Sequence, residues 1–565
     1  MLSALTQGWN GALLTYGAVQ ASMAVGLVRS GGAWYKLLPS PLVAAPLAAL
    51  VGASMWLAGP AFSFIGAAPH GFIQTAVAAS LALALGYTGG ETLAEPEATP
   101  KVYQRGTVVT ERSADIDARA AARVRRHESG SQITLAGRPI AASDETKHFK
   151  IIGTTGTGKS TAIGEVMEGA LARGDRAVFA DPDGGYMHRF YDAHRGDVVL
   201  NPFDERSVKW DLFAEIKTPY DVDQLARSLI PDQDGSDRSW RGYARTFFTA
   251  VTRQAWEAGV TDVAELYRLL VAADAEELRA MVYATPAQPF LEQHNSRMFD
   301  SIRSVTSSAV GALEYVAQQK GRPFSVRRWV AEQRPGVLFM PYKAGQIAGL
   351  RSAISGWMRL AVFEAMDGPS EATADPAGEE RRLWFVVDEL DALGQIDGLK
   401  DALARLRKFG GRCILGFQSI AQVSSTYGQG DAHTLVENCG NTLILRCSAS
   451  EGGGTARFAS QLIGDRELLR TTVTKSRRLS EMLGSISHGQ HYSVEAAVLP
   501  SQIEQLPDLS GYLKRASEPE WQQVRLHIRT VREQHRSEKP FGETLRARRS
   551  HEVRIDKTLE GMTHE

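Results

Sequence analysis

The stretch Phe149-Lys-Ile-Ile152-Gly153-Thr154-Thr155-Gly156-Thr157-Gly158-Lys159-Ser160-Thr161 decides the reading of this chain. His148 to Ile152 is an apolar strand that runs straight into a glycine-rich loop, and Thr161 to Ala172 is compatible with a helix. Gly153 to Ser160 fits the phosphate-binding pattern G-x-x-x-x-G-K-[ST] without a mismatch. Its chemistry follows from the residue types. Glycines let backbone N–H groups converge on phosphate oxygens at the positive end of the following helix. Lys159 is placed to reach the β- and γ-phosphates, and Ser160 to ligate Mg²⁺. The nucleotide-binding set is therefore Gly153, Thr154, Thr155, Gly156, Thr157, Gly158, Lys159, Ser160 and Thr161, with ATP and Mg²⁺ as the implied cofactors.

A second motif completes the first. Leu383-Trp-Phe-Val-Val-Asp388-Glu389 is an apolar strand that ends in two acids, the Walker B arrangement. Asp388 would hold Mg²⁺, directly or through water, and Glu389 would polarise the attacking water. Leu390, Leu393, Ile396, Leu399, Leu403 and Leu406 then form an apolar helical stripe, read as core packing. That helix delivers Arg407-Lys408-Phe409-Gly410-Gly411, followed by a strand, Cys413 to Gly416, and by Phe417-Gln418-Ser419. A Gln at the end of a strand beside the phosphate site suits a sensor of the γ-phosphate or of the attacking water.

Outward from these motifs, short continuous apolar runs recur at 177–180, 198–200, 337–340 and 442–446, as expected of strands buried on both faces of a parallel sheet. Between about Thr218 and Gln319 the strand signal vanishes. Trp240, Tyr243, Phe247 and Val251, then Ile302, Val305, Val310, Leu313 and Val316, fall at helical spacing, which predicts an all-helical insert. The fold class is α/β: a P-loop ATPase domain (91–217 and 320–530) interrupted by an all-α domain (218–319) and followed by a charged, mobile tail (531–565).

Composition supplies the rest. The chain of 565 residues is 43% hydrophobic and 22% charged, with a net charge of −1, so no overall basic excess points to nucleic acid. Cys413, Cys439 and Cys447 show no paired metal spacing and read as reduced, buried thiols. The averages conceal an abrupt shift, because Arg29 and Lys36 are the only charged residues before Gly90. Residues 1–90 are predicted to be a membrane anchor, a hairpin with spans at about 42–65 and 72–88. Arg29 and Lys36 before it, and Lys101, Arg105 and Arg112 after it, place both flanks in the cytoplasm. A third apolar segment, 9–28, is either another span or an interfacial helix, and Thr15, Tyr16, Gln20 and Ser22 favour the latter. The basic stretch Arg119, Arg123, Arg125 and Arg126 reads first as a solvated helix face.

The order and spacing of these segments resemble the type IV coupling proteins of conjugation and secretion systems, of the TraD and TrwB kind. The resemblance runs through Gly153–Thr161, Asp181-Pro182-Asp183-Gly184, Asn201-Pro202-Phe203-Asp204 with Trp210, Asp388-Glu389-Leu390, Arg407-Lys408, Gly416-Phe417-Gln418-Ser419 and Leu506-Pro507-Asp508-Leu509. It implies a RecA-like ATPase domain, an all-α inserted domain and an N-terminal transmembrane helical hairpin in the bacterial inner membrane, with the bulk of the chain cytoplasmic. It also implies a homo-oligomeric ring, a hexamer, that passes single-stranded DNA and couples a relaxase–DNA complex (relaxosome) to the secretion channel. In such a ring Arg407 would act as an arginine finger on a neighbour's nucleotide, and Gln418 carries over as the sensor. Two other readings are a septal double-stranded DNA translocase or helicase of the FtsK kind, and a nucleotide-binding recruitment platform with little turnover.

Overall fold

Among the described residues ten strands form the main sheet, and the continuous apolar runs supply its centre. The computed structural model describes residues 2–30, 32, 34–63, 70–94, 102–111, 132–232, 238–332, 334–367, 382–450, 453–476 and 485–528. The expected basic helix at 119–126, the polar loop 369–379 and the tail 531–565 lie outside the described residues. Contacts divide the chain into two units, Met1–Arg105 with Arg466–Glu495, and Gly106–Asp465 with Ala496–Glu565.

In the second unit the sheet strands are β1 (Val109–Thr110), β2 (Phe149–Ile152), β3 (Arg176–Pro182), β4 (Val198–Val199), β5 (Val337–Tyr342), β6 (Leu383–Val387), β7 (Gly411–Phe417), β8 (Asn441–Ile444), β9 (Ser510–Lys514) and β10 (Trp521–Arg525). Their spatial order is β1-β10-β9-β8-β2-β7-β6-β3-β5-β4. From β8 to β4 all neighbours are parallel, while β9 pairs antiparallel with β8 and with β10. Parallel strands are covered on both faces, and alternate residues point to opposite sides. Accordingly Ile152, Val178, Ala180, Leu338, Met340, Phe385, Val387, Leu415 and Phe417 enter one core. Phe149, Ile151, Ala177, Phe179, Val337, Phe339, Trp384, Val386 and Ile414 enter the other, with Ala162, Ile163, Val166 and Met167 of the helix Lys159–Ala172. Because the strands are parallel, all their carboxyl ends lie on one side, where ligands bind in open α/β sheets.

Between Pro219 and Ala317 the described residues are helical or irregular, with six α-helices from Pro219–Leu229 to Ala312–Ala317. The chain leaves and re-enters side by side: Lys209–Trp210 pairs in parallel with Pro323–Phe324. Glu215, fully buried, locks this root. Its carboxylate accepts from Trp210 Nε1 (2.9 Å), Ser325 Oγ (2.9 Å), Val326 N (2.7 Å) and Arg327 N (3.1 Å). Burial pushes its pKa up, and these four donors oppose that shift. Trp210 also meets Trp357 edge to face at 5.6 Å.

The first unit contains helices α1 (Leu2–Arg29), α2 (Ser40–Ser63) and α3 (His70–Leu93), and a three-stranded sheet in the order Val102–Gly106, Asp465–Ser476, Ser485–Ala496. Helix α1 packs along α3: Val19, Met23 and Ala82 are buried, and Ser22 Oγ reaches the Ala82 carbonyl oxygen at 3.4 Å. The small Gly86 and Gly90 let the two backbones approach, as in membrane helix pairs. Leu13, Leu14, Val25, Leu42, Leu50, Trp56 and Leu57 face outward, an arrangement that suits lipid. Asn10–Arg29 and Ser40–Leu57, with mean hydropathies of 1.4 and 1.6, are long and apolar enough to cross a membrane. The segment 9–28, read as a further span or an interfacial helix, packs in a bundle with α2 and α3. Its Ser22 and Gln20 are engaged inside that bundle, Gln20 Nε2 donating to Ser40 Oγ.

The root of the helical insert depends on Glu215. Replacing it with Ala leaves four buried donors without an acceptor, and the expected loss is on the order of 3 kcal/mol. Thermal unfolding of the purified chain should show a large fall in Tm for Glu215→Ala and a smaller one for Glu215→Gln. Equal, negligible shifts would contradict the role given to this carboxylate.

Candidate nucleotide and metal site

The phosphate-binding loop joins β2 to helix α4 (Lys159–Ala172), whose 14 residues aim their free N–H groups back at the loop. Gly158 caps the helix at φ 113°, a conformation that side-chain-bearing residues rarely adopt. Neighbouring backbone braces the loop from two sides. Thr154 N donates to the Arg446 carbonyl oxygen (2.9 Å) just past β8, and Leu509 N donates to the Thr157 carbonyl oxygen (3.0 Å). Within the loop, Thr157 Oγ1 donates to the Thr154 carbonyl oxygen at 2.7 Å. Lys159 Nζ donates to the carbonyl oxygens of Gly153 (2.9 Å) and Thr154 (3.4 Å). Burial lowers its pKa, and the charges of Asp388, Glu389 and Asp391 oppose that shift.

Asp388 follows β6 and is buried at the carboxyl end of the sheet. Its Oδ2 accepts from Ser160 Oγ at 2.7 Å and from Tyr186 OH at 2.8 Å. Its Oδ1 is buried and has no hydrogen-bond partner among the described residues. A serine hydroxyl beside a carboxylate with a buried, unpartnered oxygen is a donor set that fits Mg²⁺, a hard cation that prefers oxygen ligands. Gly416 of β7 makes this placement possible, because a Cβ there would stand 2.3 Å from the Asp388 carbonyl oxygen.

Glu389 is half-buried, and burial followed by the charge of Asp388 raises its pKa. Gln418, after β7, spans the gap between this acid and the loop. Its Nε2 donates to Glu389 Oε1 (3.1 Å), and its Oε1 accepts from Thr155 Oγ1 (3.0 Å). A side-chain amide can do both at once, so one residue links the loop, the acid and the end of β7.

The structure thus brings Gly153 to Thr161, Asp388, Glu389 and Gln418 together. Arg407 is elsewhere. It is exposed in a short 3-10 turn before β7 begins, so roughly 20 Å of strand separates it from the carboxyl ends. Motif reading singled out neither Tyr186 nor the role of Asp181. Asp181, the last buried residue of β3, accepts from the backbone N–H of Tyr186 (3.0 Å) and Met187 (2.7 Å) at the start of helix α5 (Gly185–Phe190). Burial pushes Asp181 up to about 7 against those two hydrogen bonds. Burial and the Asp388 charge also raise the Tyr186 phenol well above its ordinary value, so it stays protonated and donates. The only sequence signal was the turn Asp181-Pro182-Asp183-Gly184, which carries no hint of what its following tyrosine meets.

Comparison with known proteins agrees with this geometry. The family profile described as the type IV secretion-system coupling protein DNA-binding domain matches residues 132–527. Coupling protein TraD of Escherichia coli (strain K12) is 31% identical over 389 residues, 68% of this chain and 53% of TraD. The coupling protein VirD4 of Bartonella quintana (strain Toulouse) is 33% identical over 126 residues, 22% of this chain and 19% of VirD4. The chain therefore aligns with about half the length of TraD and less of VirD4. The solved bacterial conjugative coupling protein TrwBdeltaN70 superposes with a TM-score of 0.66 at 28% identity, covering 79% of this chain and 97% of that one. TrwB has also been solved with ADP and Mg²⁺, and that structure matches with a TM-score of 0.65 at 28% identity, covering 79% and 97%.

The close approach at Gly416 gives a direct test. Gly416→Ala places a methyl group against the Asp388 backbone and must push β7 from β6. We expect a lower Tm and at least a tenfold loss of Mg²⁺-dependent nucleotide affinity, read by equilibrium binding of a fluorescent ATP analogue. Unchanged binding would show that Asp388 does not depend on this packing.

Proposed function

From the premise that this chain belongs to the type IV secretion-system coupling protein family, we propose that it is a membrane-anchored ATPase that drives DNA into a type IV secretion channel during conjugation. The observation that carries this reading is the meeting of α4, Asp388, Glu389 and Gln418 at the carboxyl ends of adjacent parallel strands. TrwB, similar over 97% of its solved length, is the relative that carries ADP and Mg²⁺. The coupling-protein family match does not favour a septal translocase.

The roles follow from the geometry. The N–H groups of the loop and of α4 cradle the phosphates, with Lys159 Nζ turning from its two carbonyl acceptors to the β- and γ-oxygens. Ser160 and Asp388 would hold Mg²⁺, which when bound neutralises charge on the phosphate oxygens. Glu389 orients and polarises the attacking water, and its raised pKa makes it a better proton acceptor than an ordinary carboxylate. Gln418 ties that acid to Thr155, so a change on the phosphate side of the loop reaches the acid and β7 together.

Arg407 belongs to the same proposal as a residue acting between copies. It lies far from its own phosphate loop, is exposed, and has no ion-pair partner among the described residues. In a hexameric ring it would meet the neighbour's nucleotide, and the ring would conduct single-stranded DNA delivered with a relaxase. The apolar helices support anchoring in the bacterial inner membrane, with Arg29 and Lys36 marking the cytoplasmic side.

ATP hydrolysis by the detergent-purified chain, with and without single-stranded DNA, tests the function. Strong stimulation is expected; a rate that DNA does not change at any protein concentration would favour a recruitment platform. Lys159→Ala should abolish turnover, and Glu389→Gln should abolish it while still binding ATP. Near-normal hydrolysis by either variant would refute the assigned roles. Mixed rings of inactive Arg407→Ala and inactive Lys159→Ala subunits should regain activity at hybrid interfaces, and verified mixed rings that stay inactive would exclude a role in trans.

A further inference from the structure

Two hydroxyls from separate elements converge on one oxygen of Asp388. Ser160 Oγ comes from the first turn of α4, and Tyr186 OH comes from α5, which follows β3. Tyr186 belongs to neither nucleotide motif, yet it is buried and firmly held. Its ring stacks on Phe179 with centroids 5.2 Å apart, and its backbone N–H is fixed by Asp181. The effect on Asp388 is geometric. With Oδ2 occupied by two donors on different elements, the carboxyl group cannot turn about its bond, and Oδ1 stays in the direction where it has no partner.

We infer that Tyr186 is a positioning residue for the metal: its phenol fixes the Asp388 carboxylate so that Oδ1 faces the Mg²⁺ that accompanies the nucleotide. This rests on the reading above that Ser160 and Asp388 hold that ion. Ser160 has two duties, since its hydroxyl would give a lone pair to the metal while donating its proton to Asp388. The tyrosine has no such second duty. Groups that orient a metal-binding carboxylate from behind typically change metal affinity by about 10- to 100-fold when removed.

Tyr186→Phe keeps the ring against Phe179 and removes only the hydroxyl. The full-length chain and this variant would be compared for equilibrium binding of a fluorescent, non-hydrolysable ATP analogue, across a Mg²⁺ titration and again in excess chelator. The expected result is unchanged affinity in chelator and a Mg²⁺ midpoint raised by about tenfold or more in the variant. A variant midpoint equal to that of the unaltered chain overturns the inference. An equal loss with and without Mg²⁺ also overturns it, because the phenol would then serve the fold rather than the metal. If the unaltered chain shows no Mg²⁺-dependent binding, the metal site itself is refuted and the inference falls with it, an outcome distinct from a failure of Tyr186 alone.

Discussion

A carboxylate buried at the end of a strand must be met by donors or by a cation, and the site is built on how Asp388 meets that demand. One oxygen is satisfied inside the protein by Ser160 and Tyr186; the other is left without a protein partner. This single residue thereby ties β6 to the first turn of α4 and to α5 beyond β3. The near-contact between the Asp388 backbone and Gly416 adds β7 to the same knot. The phosphate loop, the two following helices and the strand that leads to Gln418 are therefore tied to one residue.

The same principle recurs at the root of the helical insert. Glu215 is as deeply buried as Asp388, but four donors satisfy it completely, so it holds structure and offers nothing to a ligand. The contrast separates a fully satisfied carboxylate from one left with an open oxygen by hydrogen-bond accounting alone. It also explains how a long helical excursion stays in register with the main sheet. The paired segments Lys209–Trp210 and Pro323–Phe324 are short, and the carboxylate clamps the turn of chain beside them.

What could be read from the sequence was what local spacing encodes. The loop Gly153–Ser160 and the strand ending in Asp388-Glu389 carry their chemistry in consecutive residues, and the buried strands announced themselves as short apolar runs. Gln418 was legible because it ends a strand next to the phosphate strand. Tyr186 and Glu215 were not, since their roles arise from contacts with residues 202 and 110 positions away. Nothing in Gly185-Tyr186-Met187 distinguishes a phenol aimed at a carboxylate from a core aromatic. The partners of Gln20 and Ser22 in 9–28 are hidden from the sequence for a related reason: they lie on other helices of the bundle. The edge strand Val102–Gly106 carries no local signal either, because its pairing partner Asp465–Ser476 lies more than 350 residues later.

The most direct test of the account is an experimental structure of the detergent-solubilised chain with Mg²⁺ and a non-hydrolysable ATP analogue. The expected density places the phosphates at the first turn of α4 beside Lys159, with the metal between Ser160 and Oδ1 of Asp388 and Gln418 still touching Glu389. Nucleotide bound away from this loop, or a metal on the far side of Asp388 with Tyr186 displaced, would contradict it.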